Sequence, residues 1–320
     1  MDRLHPDLVG PIKLIQSQPG GGLSFDDIPA ARVAFIEMME AMKDLMPVIE
    51  GVTTEGRMVP GPSGAPDVAV RVYYPDNRPA ILPALLWIHG GGYIVGNIEQ
   101  EDIGAKLLTL AGECVTVSVE YRLAPEHPFP APVEDCYAAL KWLASHTDEL
   151  GVDVNRIAIG GGSAGGGLAA GLALLARDRA EVDIIAQFLI YPMIDDRNTE
   201  PASDILPDTL LWTRESNLIG WRSYLGCEPG GDTISCYAAA SRADDLTGLP
   251  PAYIAVGDID LFAQEDVDYA RRLIKAGVPA ELHVYPGGCH AFDTMAPGAD
   301  ICRQFNNDFY RALNRTLHPG

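Results

Sequence analysis

Basic residues and long apolar runs are both scarce in this sequence. Lysine and arginine together number 23, whereas aspartate and glutamate number 44, so the formal net charge at pH 7 is −21. Nucleic-acid binding requires clustered Lys and Arg for phosphate contacts, and their shortage excludes this class of partner. No apolar stretch approaches the roughly 18 residues of a membrane span, and residues 1–7 do not resemble a signal peptide. We therefore expect a cytoplasmic protein without a membrane span.

Cysteine motifs are absent as well. No two of the six cysteines have the Cys-x-x-Cys spacing of a zinc or redox site. A chain of 320 residues, 47% of them hydrophobic, can bury a large core without disulfide bridges. We expect free thiols, no metal ion and no cofactor. The six are Cys114, Cys136, Cys227, Cys236, Cys289 and Cys302.

A glycine-rich turn around one serine is the most informative motif that is present. Residues 156–159 form an apolar, strand-like run, and residues 168–176 are rich in Ala and Leu, as in a helix. Between them, Ser163 lies in a Gly-x-Ser-x-Gly pattern, which lifts a nucleophilic serine onto a sharp strand-to-helix turn. Gly161 and Gly165 occupy the two positions at which strand and helix nearly touch.

The same turn also fits the dinucleotide-binding pattern Gly-x-Gly-x-x-Gly, as Gly160, Gly162 and Gly165. That pattern belongs to the first βα unit of a nucleotide-binding domain. Here the turn lies in the middle of the chain, after several predicted strands, and we favour the nucleophile turn.

A second glycine loop follows the apolar run at residues 84–88. It reads His-Gly-Gly-Gly over residues 89–92 and is followed by Tyr93. Lipases and esterases use this arrangement to direct backbone N–H groups at a developing oxyanion, and glycine permits the close approach. A flexible surface loop is the alternative, but its occurrence together with the serine turn favours an oxyanion site.

Two ionisable residues follow later predicted strands. Residues 251–256 form a short apolar strand before Asp260, and residues 281–285 form a strand before His290. In an α/β sheet, sites form at the carboxyl ends of the strands. The chain order Ser163, Asp260, His290 is the order of the triad in α/β hydrolases.

The segment between Asp260 and His290 predicts an amphipathic helix that ends at Gly277. The residues expected on its buried face are Val267, Ala270, Leu273 and Ile274. Other acidic residues near Asp260 are Asp258, Glu265, Asp266 and Asp268. Most of them fall on the face that we expect to be exposed, so Asp260 is the preferred acid.

Three further residues are alternatives for the catalytic chemistry. His127 lies between prolines in an extended segment, and His290 already supplies the histidine of the triad, so we do not expect His127 to be catalytic. His89 is expected to orient the glycine loop. Cys289 directly precedes His290, but neighbours on an extended loop point apart, so we interpret it as a packing residue.

Several of these motifs occur together, and in the same order, in one known family. The run Tyr-Arg-Leu-Ala-Pro-Glu-His-Pro-Phe-Pro over residues 121–130, followed by Val-Glu-Asp at residues 133–135, lies between the two glycine motifs. From about Ala84 to about Phe292, the chain closely resembles the hormone-sensitive-lipase-like esterases, of the bacterial family IV type. The resemblance implies a cofactor-free α/β-hydrolase fold with a helical cap.

The resemblance also implies residue roles. Ser163 would be the nucleophile, Asp260 the acid and His290 the base, while the oxyanion N–H groups would come from Gly91, Gly92 and Ala164.

The chain departs from the family pattern at three positions. The family carries an acidic residue or Thr before the nucleophile, Pro after the acid and Gly after the base. This chain has Gly162, Leu261 and Ala291 there. The glycine removes a side chain that could brace the turn, unless glycine is required here because φ is positive or because a bulkier neighbouring residue has filled the space.

The strand pattern predicts a mostly parallel, eight-stranded sheet flanked by helices. The strands centre near Met58, Val70, Leu86, Val117, Ile159, Leu189, Ile254 and Val284. We assign residues 51–194 and 226–320 to the catalytic domain, and residues 1–50 and about 195–225 to the cap. Helical stretches are expected around residues 7–16 and 26–46.

The second cap segment has leucine and aromatic residues at the spacing of a helix. These residues are Leu210, Leu211, Trp212, Leu218, Trp221 and Tyr224. Such spacing is typical of a packed core. In a cap it would also enclose a small apolar pocket, for which Tyr93, Trp212 and Trp221 are the candidate lining residues.

The sequence thus predicts a serine carboxylesterase that hydrolyses short-chain acyl esters through an acyl-enzyme on Ser163. An amidase or acyltransferase with the same triad is an alternative, as is a non-catalytic ligand receptor on the same fold. The expected partner is a small ester. The natural substrate, the stereopreference and the choice between monomer and homo-oligomer stay open.

Overall fold

The eight strands that the sequence predicts are present and form one sheet. The computed structural model describes residues 3–17, 24–42, 47–198 and 212–320. In chain order the strands are β1 (Val52–Val59), β2 (Val68–Pro75), β3 (Leu82–Ile88), β4 (Val115–Glu120), β5 (Val152–Gly162), β6 (Gln187–Ile190), β7 (Ala252–Gly257) and β8 (Ala280–Tyr285).

The sheet has the order β1-β2-β4-β3-β5-β6-β7-β8. The pairs β1–β2 and β2–β4 are antiparallel, and all other pairs are parallel. Every residue of β3 is buried, as expected for a strand whose two faces are both covered by helices. The carboxyl ends of β3, β5, β7 and β8 therefore lie along one edge of the sheet.

Helices cover both faces of the sheet. The α-helices are α1 (Val9–Gln16), α2 (Ile28–Met42), α3 (Ile98–Gly112), α4 (Ala131–Ser145), α5 (Thr147–Leu150), α6 (Ala164–Arg179), α7 (Arg214–Leu225), α8 (Ala263–Lys275), α9 (Phe292–Met295) and α10 (Asp300–Leu317). Helices α4, α6 and α8 pack on one face, and α3 and α10 on the other. Side chains of β3 alternate accordingly: Leu86 joins the first core and Leu85 and Trp87 join the second. In the part of the chain that the structure describes, no helix is long and apolar enough to cross a membrane.

The two predicted N-terminal helices correspond to α1 and α2, although residues 43–46 of the second lie outside the described residues. Arg32 of α2 reaches the body of the protein. Its guanidinium donates to the carbonyls of Ile94 and Ala124, both at 2.7 Å, and forms a bidentate ion pair with Glu126. This side chain fastens α2 to the segments that follow the glycine loop and β4.

Helix α7 carries Leu218, Trp221 and Tyr224 of the predicted pattern, and Trp212 precedes the helix, while Leu210 and Leu211 lie outside the described residues. The assignment of these regions to a cap stays a prediction.

The predicted buried face of α8 is partly wrong. Ala270 and Leu273 are buried, but Val267 is 41% and Ile274 60% exposed. The face that packs on the sheet is rotated, and it buries Glu265 and Asp266, which the sequence analysis placed in solvent. The spacing of apolar residues does not predict this buried face, because it carries carboxyl groups. One of them, Glu265, is paired with backbone N–H groups of the loop after β6.

Candidate active site

The nucleophile turn has the geometry that its glycines predict. Strand β5 ends at Gly162 and helix α6 begins at Ala164, so Ser163 forms the corner, with φ +57° and ψ −123°. A non-glycine residue in this region is strained by about 1–3 kcal/mol and must be held there. The Ser163 N–H donates to the Ile190 carbonyl, and the Ser163 carbonyl accepts from Met193 N–H.

The glycines of the turn allow backbone to contact backbone. A Cβ atom on Gly165 would lie 2.0 Å from the carbonyl oxygen of Ile88, and one on Gly161 would lie 2.5 Å from the same atom. Both distances are far below van der Waals contact. The prediction that strand and helix nearly touch at these two positions is confirmed.

Ser163, His290 and Asp260 form a hydrogen-bonded line. The Ser163 Oγ lies 2.9 Å from His290 Nε2, and His290 Nδ1 lies 2.8 Å from Asp260 Oδ2. A carboxylate only accepts, so Nδ1 carries the proton and Nε2 is free to accept from the serine hydroxyl. The second oxygen of Asp260 accepts from Phe262 N–H at 3.0 Å, which fixes the carboxylate in plane. All three side chains are at least nine-tenths buried.

Aromatic rings surround the imidazole. Tyr191 and Phe262 meet the His290 ring edge-on, at centroid distances of 4.8 and 5.1 Å, and Trp212 lies 6.5 Å away. These contacts restrict rotation of the ring, so its direction is set before a substrate arrives.

The glycine loop after β3 lies against the nucleophile turn. A Cβ atom on Gly90 would be 3.4 Å from the Cβ of Ser163, and Gly91 and Gly92 have φ values of +113° and +58°. Within the described ranges, no protein atom accepts a hydrogen bond from the backbone N–H of Gly91, Gly92 or Ala164. These three donors are available to a ligand beside Ser163.

His89 holds this loop rather than reacting. Its Nδ1 donates to the Gly90 carbonyl at 2.8 Å, and its ring stacks on Tyr121 at 4.2 Å. Burial lowers the pKa of His89 to about 4, so the ring is neutral near pH 7. The Tyr121 hydroxyl in turn donates to the His89 carbonyl at 3.0 Å.

Comparison with known proteins agrees with this geometry. Residues 85–294 match the family described as having the alpha/beta hydrolase fold. Carboxylesterase NlhH of Mycobacterium tuberculosis is 33% identical over 318 residues, which cover 98% of each protein. This chain belongs to the hormone-sensitive-lipase-like family of α/β hydrolases.

Further relatives are similar over nearly the full length. Ethyl acetate hydrolase of Pseudomonas putida is 29% identical, with 91% of this hydrolase and 92% of the relative covered. Among solved structures, a bacterial heroin esterase is 39% identical with a TM-score of 0.92, covering 99% of both chains. The hyperthermophilic esterase of Pyrobaculum calidifontis is 33% identical with a TM-score of 0.85, covering 98% of both.

The three candidate pocket residues differ in position. Trp212 is 9% exposed and lies directly on the glycine loop, where a Cβ atom on Gly92 would overlap its ring. Tyr93 and Trp221 have no exposed surface. Tyr93 stacks on Tyr224 at 4.0 Å and donates to the Met193 carbonyl, so this pair of rings supports the loop from behind.

The space beside Gly162 is occupied by Tyr191. The tyrosine ring would lie 3.5 Å from a Cβ atom at this position, and its hydroxyl donates to Asp293 at 2.8 Å. Burial raises the pKa of Asp293, and Gly162 does not have a positive φ. Of the two explanations for the missing acidic residue, the structure favours the one in which a neighbour fills its space.

The other acidic residues and the cysteine considered for the site do not form part of the triad. Asp258 pairs with Arg3 and accepts from Gly287 N–H, and the buried Glu265 accepts from Ile194 N–H. Cys289 is fully buried, and burial raises the pKa of its thiol to about 12, so it is not a thiolate.

His127 is exposed, and all six cysteines are free. Within the described ranges, no group of three or more His, Cys, Asp or Glu residues could hold a metal ion.

Asp266 is a buried carboxyl with no hydrogen-bond partner for either oxygen in the described part of the chain. Burial raises its pKa well above the usual value, and the nearby carboxylates of Glu265 and Asp260 raise it further. The folded protein therefore favours the neutral form of this carboxyl.

We predict that Gly162→Ala keeps activity and stability close to wild type, because its Cβ makes only an ordinary contact with Tyr191. Gly162→Asp should melt at a lower temperature than Gly162→Asn, because a second carboxylate would approach Asp293. Gly165→Ala is the matched control and should lose several kcal/mol of stability, since its Cβ would overlap the Ile88 carbonyl. Thermal melts of the four variants test this; a Gly162→Asp variant more stable than Gly162→Asn would contradict it.

We also predict that Asp266→Asn stabilises the protein more at pH 8 than at pH 4.5. The raised pKa makes the folded state bind one proton more than the unfolded state at every pH between the two pKa values. Stability therefore falls with rising pH there, by about 1.4 kcal/mol per pH unit, and asparagine removes this loss. Denaturant unfolding at both pH values measures it. Asp268→Asn, at an exposed position of the same helix, is the control; an equal gain at both pH values in Asp266→Asn would show that the carboxyl is not neutral.

Proposed function

We propose that this hydrolase is a carboxylesterase that hydrolyses small, short-chain acyl esters through an acyl-enzyme on Ser163. The observation that carries the proposal is the line from Ser163 through His290 to Asp260, with bonds of 2.9 and 2.8 Å, at a strained turn beside free N–H donors. Relatives over the full length include the carboxylesterase NlhH and the ethyl acetate hydrolase.

Acylation begins with proton transfer. A serine hydroxyl is a weak nucleophile at neutral pH, so His290 Nε2 takes its proton as Oγ attacks the ester carbonyl carbon. Asp260 keeps Nδ1 protonated and stabilises the imidazolium that forms. The imidazolium then gives its proton to the departing alkoxide, which leaves as the alcohol, and the acyl group stays on Ser163.

The negative charge on the carbonyl oxygen is met by the backbone N–H groups of Gly91, Gly92 and Ala164. Their positions are fixed by positive φ values in the loop and by the start of helix α6. Donors that are oriented before the reaction contribute about 3–4 kcal/mol each in comparable sites. The start of α6 adds the positive end of the helix dipole.

Deacylation uses the same groups in reverse. His290 takes a proton from water, the hydroxide attacks the acyl carbon, and the proton returns to Ser163 Oγ as the carboxylic acid leaves. The intact triad disfavours a non-catalytic receptor. The esterase names of the relatives favour an ester over an amide as substrate.

The short acyl chain is inferred from the roof of the site. Phe25, which precedes α2, packs on Trp212 at 5.5 Å, and Trp212 covers the glycine loop. Residues of the two segments assigned to the cap thus meet beside the glycine loop and His290, and we infer that these bulky rings leave a site of modest volume.

Ser163→Ala should abolish hydrolysis of p-nitrophenyl butyrate, because no other described nucleophile lies within reach of His290. A fluorophosphonate should label the wild type once per chain, at Ser163 by peptide mass spectrometry. Cys289→Ala is the control and should label like the wild type. Turnover by Ser163→Ala near the wild-type rate, or labelling at Cys289, would overturn the assignment.

For the acyl group, we expect kcat/KM to be highest between about two and eight carbons and to fall for longer chains. A p-nitrophenyl ester series from acetate to palmitate, with a fixed leaving group, measures this. Faster hydrolysis of emulsified long-chain triglycerides than of soluble butyrate esters would argue against a closed site.

A further inference from the structure

A chain of hydrogen bonds joins the roof of the site to the loop that carries the catalytic acid. The Trp212 indole Nε1 donates to Asn217 Oδ1 at 3.2 Å, and Asn217 Nδ2 donates to the Asn198 carbonyl at 2.9 Å. The Asn198 side chain donates to the carbonyl of Leu261, next to Asp260, at 3.0 Å, and to Glu265 at 2.6 Å.

Asn217 has only one arrangement in this chain. Its side chain is fully buried, and an indole N–H only donates, so the amide oxygen must point at Trp212 and the amide nitrogen at Asn198. Both ends of the amide are therefore used. Loss of either partner would leave a buried polar group unpaired, which favours the single observed geometry.

The far end of the chain is equally fixed. Glu265 Oε1 accepts from the backbone N–H groups of Ile194 and Asp195, at 2.9 and 3.2 Å, while Oε2 accepts from Asn198. The loop after β6, which carries Asn198, is thus tied to helix α8 by a buried carboxyl. Glu265 lies in the first turn of α8, directly after the loop that carries Asp260.

The indole lies in a slot between two glycines. Its Cη2 atom would be 2.1 Å from a Cβ on Gly92, and its Cζ2 atom 3.4 Å from a Cβ on Gly220 of α7. A rotation of the ring about its Cα–Cβ bond would move it off Gly92 and open the space above the oxyanion loop. The Asn217 hydrogen bond opposes this rotation.

We infer that Asn217 is a positioning residue that holds Trp212 on Gly92 and thereby sets the upper limit on the acyl chain. The inference rests on the proposed esterase function. In the described part of the chain, no hydrogen bond joins Asn217 to the triad, so its loss should affect hydrolysis of a small ester far less than it affects the space that a longer acyl chain can occupy.

Asn217→Ala tests this through the ratio of kcat/KM for p-nitrophenyl octanoate to that for the acetate. We expect the ratio to rise about tenfold, within the range that a few methylene groups contribute in an apolar pocket. The acetate rate should stay within about threefold of wild type. Ser216→Ala, which removes the neighbouring buried hydroxyl bonded to Thr213, is the matched control and should leave the ratio unchanged.

A double-mutant cycle separates positioning from a general loss of packing. Trp212→Phe removes the indole N–H, so Asn217→Ala in that background should change the ratio no further. If Asn217→Ala folds poorly, the Trp212→Phe single variant still tests the inference, because it removes the donor of the same hydrogen bond. A full Asn217→Ala effect in the Trp212→Phe background, or an unchanged ratio in Asn217→Ala alone, would overturn the inference.

A measurement that does not depend on catalysis tests the role of Asn217 separately from the proposed esterase activity. With 15N-indole labelling the four tryptophans give four N–H signals, and the Trp212 signal is the one that Trp212→Phe removes. In Asn217→Ala it should shift and exchange faster with solvent, whereas Ser216→Ala should leave it in place. An unmoved signal refutes the role of Asn217, while absence of esterase activity in the wild type refutes the proposed function alone.

Discussion

The site depends on the direct contact between the β5–α6 turn and the end of β3. At Gly161 and Gly165 no side chain separates the turn from the Ile88 carbonyl, so Ser163 is brought beside the loop at Gly90. A side chain of any size would push the nucleophile away from the oxyanion donors. Nucleophile and donors are therefore held by adjoining backbone segments, and Asp260 and His290 reach Ser163 from the loops that follow β7 and β8.

The features that the sequence predicts well are those fixed by the backbone. Strand-like segments, apolar or alternating, located all eight strands, and the glycines marked where chains must approach closely, which led to Ser163 and the loop at 89–92. The positions of Asp260 and His290 follow because parallel strands end at one edge of the sheet. These inferences need only local patterns and chain order, and both are visible in a single sequence.

Features that depend on distant partners could not be predicted in the same way. Glu265 and Asp266 look like surface residues of an amphipathic helix, and only the folded chain brings the N–H groups of residues 194 and 195 to Glu265. Likewise, nothing local indicates that Tyr191, whose hydroxyl donates to Asp293, occupies the space beside Gly162. In the sequence, Asn217 looks like an ordinary residue of a helix, because only the folded chain brings Trp212 and Asn198 to its side chain.

Arg32 has a consequence for how the protein matures on the ribosome. Its partners Ile94 and Ala124 are 62 and 92 positions further along the chain, so α2 leaves the ribosome well before its docking surface has been synthesised. The cover of the glycine loop also needs Trp212, on which Phe25 packs, so this cover cannot be completed until the chain has been synthesised past that residue.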